Sequence, residues 1–330
     1  MRVLMFITLL VSVLFCAEAR SQLIRINAAY TGESPTQLPA FLAKETGIFA
    51  KNGLEVQLIR TNSSVAMMSL LAGEMTMLQI AAPTVITSKL RGSDTVFIAG
   101  GVVTLDYWLM SNKNIKSAAQ LKNGIIGTSD LSGSSFIASR FAVRKIGLDP
   151  DKDITIIRSG GTPERLIALR TGRIQATLLS PPTSFIGQRD GLNFLTDVMG
   201  LPFQHNGVVT TRKFIRENPD AVRRYVKSQV EAVHFMKTNR EVGLQVLGKF
   251  LGRSKDRELV EKSYDVSMGE DVYPRKQYPT LAGIKTILDA MVKDNPSIKE
   301  TKPEDFVDVR FIRELDESGF IDNLYKKSGK

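Results

Sequence analysis

A unit of apolar strand, polar turn and amphipathic helix recurs along the chain, and it constrains the fold more than any other feature. Its clearest copy is Asn123–Leu148, where the apolar run Gly124–Thr128 leads into a turn rich in small hydroxylated residues. Such a turn leaves backbone N–H groups at the start of the next helix, where they can bind a ligand or be capped by a serine. Buried apolar strands alternating with amphipathic helices indicate an α/β fold with mainly parallel sheets.

The recurring units fall into two groups that align at an offset of 99 residues. At this offset the segment SLLAGEMTMLQIAAPT falls on ALRTGRIQATLLSPPT, with a helix end, a strand and a Pro-Thr turn in register. We therefore predict two similar lobes, residues 20–103 with 212–330 and residues 104–211, facing each other across a cleft. The predicted crossings between the lobes lie near Val103–Trp108 and Pro202–Gly207, where hinge residues would absorb closure.

We expect residues 1–19 to be a signal peptide. Arg2 precedes the apolar run Val3–Phe15, and Ala17-Glu18-Ala19 follows as a small-x-small cleavage site. The only cysteine, Cys16, would leave with this signal, so the exported chain would have no disulfide and no thiol nucleophile. An exported globular protein of this size without cysteine is typical of a bacterial periplasm.

The charge of the chain is basic, with 44 Lys and Arg residues against 34 Asp and Glu and a net charge of +10. The basic residues are scattered, without long runs or interleaved aromatic residues. This pattern indicates a solvated surface rather than a nucleic-acid-binding face. The sequence contains no HExxH, P-loop, nucleophile-elbow or Rossmann glycine motif. We predict a monomer without cofactor or metal that binds a small molecule.

Several polar residues lie in or near the predicted cleft turns. Glu33 and Asp106 can do acid/base work as paired carboxylates, or can hold an ammonium or ring N–H group. Their structural alternatives are turn chemistry for Glu33 and capping or solvation for Asp106. Tyr107 can form an apolar wall for a ligand or fill the core of the hinge. His205, at the second crossing, can line the cleft.

The order of these elements and several short motifs resemble the solute-binding proteins of nitrate, sulfonate and taurine ABC transporters. This class includes relatives that bind thiamine-precursor pyrimidines. The matching motifs are PAFLAKETGIF at Pro39–Phe49, LLAGE at Leu70–Glu74, GLDPD at Gly147–Asp151 and ENPD at Glu217–Asp220. The resemblance covers nearly all of the chain that follows the predicted signal peptide.

The resemblance implies a type II periplasmic-binding fold, with the ligand between two lobes and no catalysis. Ligand binding would favour a closed form that docks on an ABC permease in the inner membrane. The ligand loops would be the turns that follow the strands, at their carboxyl ends. The candidate ligand-binding residues are Thr31, Glu33, Ser34, Asn62, Ser63, Ala82, Pro83, Asp106, Tyr107, Ser129, Ser132, Ser134, Ser135, Gly161, Thr162, Pro182 and His205.

Three functions are open at this point. The first is a periplasmic receptor that captures a small organic anion and delivers it to a permease, because the turn Ser129–Ser135 suits a carboxylate or sulfonate. If Glu33 and Asp106 face the ligand, they would repel a bare inorganic anion, which favours an organic acid with a second polar group. The second is a ligand-sensing partner of a membrane receptor. The third is a pyrimidine-precursor enzyme on the same fold, although such relatives depend on a cysteine-rich motif and act inside cells.

Overall fold

Two five-stranded sheets organise the chain, and the computed structural model describes residues 22–131, 133–293 and 295–327. The predicted signal peptide, residues 1–19, and the candidate residue Ser132 lie outside the described residues. The strands are β1 (Ile24–Tyr30), β2 (Leu54–Arg60), β3 (Met77–Ile80), β4 (Thr95–Ala99), β5 (Trp108–Ser111), β6 (Gly124–Thr128), β7 (Ile154–Arg158), β8 (Ala176–Leu179), β9 (Asn193–Asp197) and β10 (Gly207–Thr211). Their order is β2-β1-β3-β10-β4 in the first sheet and β7-β6-β8-β5-β9 in the second.

Four of the five strands in each sheet run in the same direction. In the first sheet β1 is parallel to β2 and β3, while β10 is antiparallel to both β3 and β4. The second sheet repeats this arrangement, with β6 parallel to β7 and β8 and with β5 antiparallel to β8 and β9. The predicted α/β class, with two similar lobes and mainly parallel sheets, is therefore confirmed.

Helices cover both sheets and extend the first lobe after β10. No helix of the described residues combines the length and the apolar character needed to cross a bilayer. The α-helices are α1 (Leu38–Glu45), α2 (Ile48–Lys51), α3 (Ser63–Leu71), α4 (Ala82–Leu90), α5 (Ala118–Leu121), α6 (Ser134–Lys145), α7 (Thr162–Arg170), α8 (Thr183–Arg189), α9 (Arg212–Glu217), α10 (Pro219–Thr238), α11 (Arg240–Phe250), α12 (Arg257–Ser267), α13 (Leu281–Met291), α14 (Arg310–Glu317) and α15 (Phe320–Lys327).

The equivalent helices α3 and α7 end in the same way. Gly73 and Gly172, which are 99 residues apart, follow these helices with φ of 81° and 73°. This left-handed conformation favours glycine, since a side chain would meet the backbone there. The sequence repeat therefore corresponds to a repeated helix end, after which the chain enters β3 in one lobe and β8 in the other.

The chain passes twice between the sheets, and the two crossings pair with each other. Thr104 and Pro202 form an isolated bridge, and the Phe203 N–H donates to the Val103 carbonyl at 2.9 Å. The prediction assigned Gly207–Thr211 to the second lobe, but these residues form β10 of the first sheet, because their backbone groups pair with β3 and β4. The other predicted lobe limits stay a prediction.

Ion pairs join the two lobes outside the cleft. The Asp151 carboxylate, in the second lobe, lies 2.7 Å from Arg140 of α6 and 2.7 Å from Lys293, which follows α13 of the first lobe. On another face, the Arg189 guanidinium at the end of α8 lies 2.6 Å from the Asp256 carboxylate, which caps α12. The pairs of Asp151 with Lys293 and of Arg189 with Asp256 therefore link the second lobe to the first.

Candidate functional site

Two adjoining cavities open between the lobes, at the carboxyl ends of the strands. An outer cavity of about 620 Å³ leads to an inner chamber of about 110 Å³. Both lobes supply the walls, because the turns after β1, β2 and β3 meet those after β6, β7 and β8. The inner chamber is lined by Thr31, Gly32, Glu33, Ser34, Thr36, Gln37, Arg60, Ser63, Ala81, Tyr107, Ser129, Ser134, Gly161, Thr162, Pro163, Arg165, Ser180 and His205.

Another cavity, of about 340 Å³, lies between helix faces of the two lobes rather than at the strand ends. It is lined by α4, α6 and the region around the end of α13, with Leu90, Phe136 and Met291 among its apolar side chains. Its lining also includes Arg91, Arg140 and Arg144, but its described residues do not bring together the strand-end turns of both lobes. The inner chamber is therefore the stronger candidate site.

The structure gathers most of the predicted ligand-binding residues around the inner chamber. Those that line it are Thr31, Glu33, Ser34, Ser63, Tyr107, Ser129, Ser134, Gly161, Thr162 and His205. Asn62 lines the outer cavity, where its side chain accepts a hydrogen bond from the Val65 N–H at 2.9 Å. The role of each residue in binding stays a prediction.

The remaining predicted residues of the described chain lie behind the chamber wall. Ala82, Pro83 and Pro182 are buried in the first turns of their helices or just before them. The Ser135 hydroxyl is taken up inside its own turn, since it accepts from the Ser129 N–H at 2.9 Å. Asp106 is also buried and is not part of the lining.

The serine-rich turn after β6 is held by its own side chains. Besides the contact of Ser135 with Ser129, the Gly133 N–H donates to the Asp130 carboxylate. The helix α6 then begins at Ser134 without a side-chain cap on its first N–H groups. The Ser134 hydroxyl lies 3.4 Å from the Tyr107 hydroxyl, and both line the chamber. The turn thus presents donors toward the cleft.

Several residues of the lining were not among the predicted candidates, namely Gly32, Thr36, Gln37, Arg60, Ala81, Pro163, Arg165 and Ser180. The most unusual of them is Arg165, in the first turn of α7. Its side chain lies within the second lobe, with 2% of the residue exposed, and its Nη1 donates to the Leu178 carbonyl at 2.7 Å. Burial lowers the pKa of its guanidinium, whereas Tyr107 and the nearby acids Asp130 and Glu164 act in the opposite direction. A cation in the first turn of a helix opposes the helix dipole, which makes the position unusual but does not indicate that it is buried.

The wall supplied by the first lobe carries a balanced pair of charges. The Arg60 guanidinium lies 2.9 Å from the Glu33 carboxylate, and both side chains are partly exposed. Ser34 caps a short 3₁₀ turn, Pro35–Gln37, through a hydrogen bond from the Thr36 N–H. Glu33 is therefore neutralised by a neighbour rather than left as a single negative charge.

The two crossings meet behind the chamber through a buried acid and a histidine. The His205 Nε2 lies 3.4 Å from the Asp106 Oδ1, and their side chains are only 9% and 3% exposed. Neither Asp106 oxygen has a hydrogen-bond partner among the described residues. The His205 ring packs edge-on against Tyr107, with 5.1 Å between ring centroids. Of this pair, only the histidine lines the chamber.

Within the described residues, no group of three or more His, Cys, Asp or Glu side chains is arranged to hold a metal ion. The chamber instead offers hydroxyl groups, backbone N–H groups and guanidinium groups. Such donors suit an anionic or polar organic solute.

The sequence was also compared with known protein families and with curated proteins. The family model described as NMT1/THI5 like matches residues 34–241. No curated protein matches the sequence at a significant level.

Solved structures with the same fold are similar over most of the chain. The ligand-binding component of an ABC-type import system from Staphylococcus aureus, with zinc bound, has a TM-score of 0.73 at 14% identity, covering 88% of this chain and 98% of its own. The periplasmic aliphatic sulphonate-binding protein SsuA from Escherichia coli has a TM-score of 0.67 at 16% identity, covering 86% and 91%. The periplasmic nitrate-binding protein NrtA from Synechocystis PCC 6803 has a TM-score of 0.69 at 14% identity, covering 93% and 88%.

Proposed function

The chain belongs to the NMT1/THI5-like family, and from this premise we propose that it is an exported receptor for a small organic solute. The solute would bind between the lobes and be delivered to an ABC permease in the inner membrane. The protein would act in the periplasm as a monomer, after removal of residues 1–19, and would bind rather than convert its ligand.

One observation carries this proposal, namely a chamber that both lobes build at the ends of their strands. Thr31 and Ser63 line it from the first lobe, and Ser129 and Thr162 line it from the second. A ligand that contacts both walls favours the arrangement in which the lobes are close together, because its contacts are complete only there. Binding would then be read by a partner as a change in the distance between the lobes.

The structural neighbours support the proposal that closure of the lobes serves to deliver the solute to a permease. The structural neighbours include a component of an ABC-type import system and the two periplasmic proteins that bind sulphonate and nitrate. We extend their role to this chain as a proposal, with an organic anion as the ligand. Uncapped N–H groups at the start of α6 and the hydroxyls of Ser129 and Ser134 support the anionic character.

The two alternatives from the sequence have less support. A pyrimidine-precursor enzyme of this fold would depend on a cysteine-rich motif, and the only cysteine of the chain is Cys16, inside the predicted signal peptide. A ligand-sensing partner of a membrane receptor would use the same chamber and the same closure. The partner itself distinguishes sensing from transport, so co-purification with a permease supports transport.

The test is a thermal-shift screen of the protein exported and processed by a bacterial host. The panel contains sulfonates, nitrate, aromatic and aliphatic carboxylates, and aminopyrimidines. A ligand at about a hundred times its Kd stabilises the folded state by about 2.7 kcal/mol. This raises the unfolding midpoint by several degrees in a protein of this size.

A pair of variants on one helix makes the screen specific to the chamber. Ser63→Trp fills the chamber from the start of α3 and should abolish the shift, whereas Met68→Trp, on an exposed position of the same helix, should retain it. A shift that survives Ser63→Trp would place the ligand elsewhere. Small-angle scattering that finds the same dimensions with and without ligand would argue against closure as the signal.

A further inference from the structure

A buried cation on the wall of the inner chamber has no acidic partner within the described residues. This cation is Arg165, whose side chain joins α7 to β8 behind the strand-end turns. We propose that Arg165 is the anchor for an oxyanion of the ligand, a carboxylate or a sulfonate. The inference rests on the proposed receptor function and adds the residue and the charge by which the ligand is selected.

The hydrogen bonds of Arg165 leave part of its guanidinium available. Nη1 donates to the Thr177 hydroxyl at 3.2 Å and to the Leu178 carbonyl at 2.7 Å. Nη2 donates to the Thr162 hydroxyl at 3.1 Å, and Nε donates to the Gly161 carbonyl at 3.4 Å. These bonds use four of the five N–H groups of a guanidinium. One N–H of Nη2 therefore has no acceptor within the described part of the chain.

All four acceptors are neutral, so the charge of Arg165 stays uncompensated by direct contact. Asp130 and Glu164 are close enough to influence its pKa, but neither forms an ion pair with it in the described residues. The Asp130 carboxylate is bonded to the Gly133 N–H instead. A charge removed from water is costly unless it is paired. A ligand anion in the chamber would supply the missing counter-charge.

The surroundings of Arg165 favour an anion over a cation. The second lobe contributes no acidic side chain to the described lining of the inner chamber, and Arg165 is joined there by Ser129, Ser134 and Ser180. The helices α6 and α7 also begin at this wall, each without a side-chain cap at its first residue. The positive ends of two helix dipoles thus lie beside the guanidinium.

A purely structural role is the competing explanation. The bonds from Arg165 to Leu178 and Thr177 tie the helix α7 to strand β8, and this alone could stabilise the lobe. The two roles predict different dependences of binding on the charge of the ligand. A structural tie affects the stability of the protein equally for all ligands, whereas an anchor changes the preference between a charged ligand and a neutral one of the same shape.

The experiment compares the affinities of matched anionic and neutral probes by calorimetry. The pairs are acetate with acetamide, benzoate with benzamide, and methanesulfonate with methanesulfonamide. The wild type should bind at least one anion ten- to a hundredfold more tightly than its neutral counterpart, the range expected for hydrogen bonds to a charged group. Arg165→Gln should remove this preference. Arg165→Lys, which keeps the charge but not the planar N–H donors of the guanidinium, should retain part of it.

The control is Arg173→Gln, since Arg173 belongs to the same lobe, is exposed and lies outside the described lining of both cavities. It should leave the anion preference within about twofold of the wild type. If Arg165→Gln does not fold, as judged by circular dichroism and its thermal midpoint, Arg165→Lys and the wild-type preference decide the question.

Two results would overturn the anchor while leaving the receptor intact. In one, the wild type binds neutral probes as tightly as their anions; in the other, an Arg165 variant that folds keeps the full anion preference. Failure of the receptor looks different. In that case neither these probes nor any compound of the wider panel shifts the wild-type midpoint, and both proposals fall together.

Discussion

The two lobes share one scaffold but differ in the side chains buried at equivalent positions. The clearest difference is between helix α3 of the first lobe and helix α7 of the second. At the offset of 99 residues, Ala66 of α3 corresponds to Arg165 of α7, and Leu78 of β3 corresponds to Thr177 of β8. Ala66 and Leu78 are fully buried in an apolar cluster. Their counterparts are as deeply buried, yet they form a hydrogen bond between a guanidinium and a hydroxyl.

This difference teaches that burial at a position of the fold does not decide its chemistry. In the first lobe the helix and strand meet through apolar side chains, which stabilise the fold by removing surface from water. In the second lobe the same junction holds a charge at the edge of a chamber. The repeat therefore gives the lobes a common shape, and the exception at Arg165 and Thr177 is the position to which our proposal assigns ligand selection.

Placing an arginine at the equivalent position of the first lobe should have the largest effect on the free energy of unfolding. Ala66→Arg places a cation among apolar residues without the hydroxyl that Thr177 supplies to Arg165. An uncompensated buried charge costs about 3–5 kcal/mol, and the larger side chain adds overpacking. Urea denaturation should show a fall of this size in the free energy of unfolding.

The matched control is Met68→Arg on the same helix, where 62% of the residue is exposed. It should change the free energy of unfolding by no more than about 0.5 kcal/mol. Equal stability of Ala66→Arg and the wild type would mean that the first lobe accommodates a cation as readily as the second. The comparison between the lobes would then lose its physical basis.

Removing the Thr177 hydroxyl in the second lobe should have an intermediate effect on the free energy of unfolding. Thr177→Val deletes an acceptor for Arg165 and a donor to the Gly127 carbonyl, which are 3.2 Å and 2.8 Å away. Leaving buried polar groups unsatisfied costs about 1–3 kcal/mol. Thermal and urea unfolding of the variant should show this loss.

A double-mutant cycle shows whether the loss passes through the guanidinium. Combined with Arg165→Met, the effect of Thr177→Val should shrink, because residues that share a hydrogen bond are not additive. Strict additivity of the two substitutions would indicate that the hydroxyl serves only Gly127.

The sequence predicts the scaffold of this site better than its side chains. Hydrophobic periodicity and the repeat of Gly73 and Gly172 identify the strands, the helix ends and the two-lobed class. The direction of a side chain at a turn depends on the backbone of that turn, which no local pattern specifies. Ala82, which begins α4, and Pro182, which precedes α8, accordingly follow correctly predicted strands but lie behind the chamber wall.

Arg165 was missed for a related reason. It stands among the apolar residues of TPERLIALR, where an arginine ordinarily extends to solvent past its neighbours. Within the sequence, only the alignment with Ala66 indicates that the position is buried. An arginine that aligns with a small apolar residue of the other lobe is therefore predicted to be buried, and an internal repeat is enough to make this prediction.

The ion pairs between the lobes should have the smallest effect, because most of these side chains are partly exposed. Lys293→Gln removes one ion pair between the lobes, and Arg189→Gln removes two, with Asp256 and Glu258. Exposed pairs are worth about 0.2–1 kcal/mol each. Ligand affinity should fall by up to about fivefold for each pair removed. Arg170→Gln, which breaks the pair with Asp190 inside the second lobe, is the control and should leave the affinity unchanged.

Salt and pH sharpen this last comparison. Hydrogen bonds from Arg140 and Lys293 hold the pKa of the Asp151 carboxyl below its ordinary value. A carboxyl with a lowered pKa in the folded protein stabilises it above the ordinary aspartate pKa of about 3.9, and this contribution is lost as the pH falls further. At neutral pH the pairs should therefore weaken with added salt alone. A salt dependence of the affinity for a neutral probe that is identical in wild type and Lys293→Gln would show that the pair does not contribute to closure.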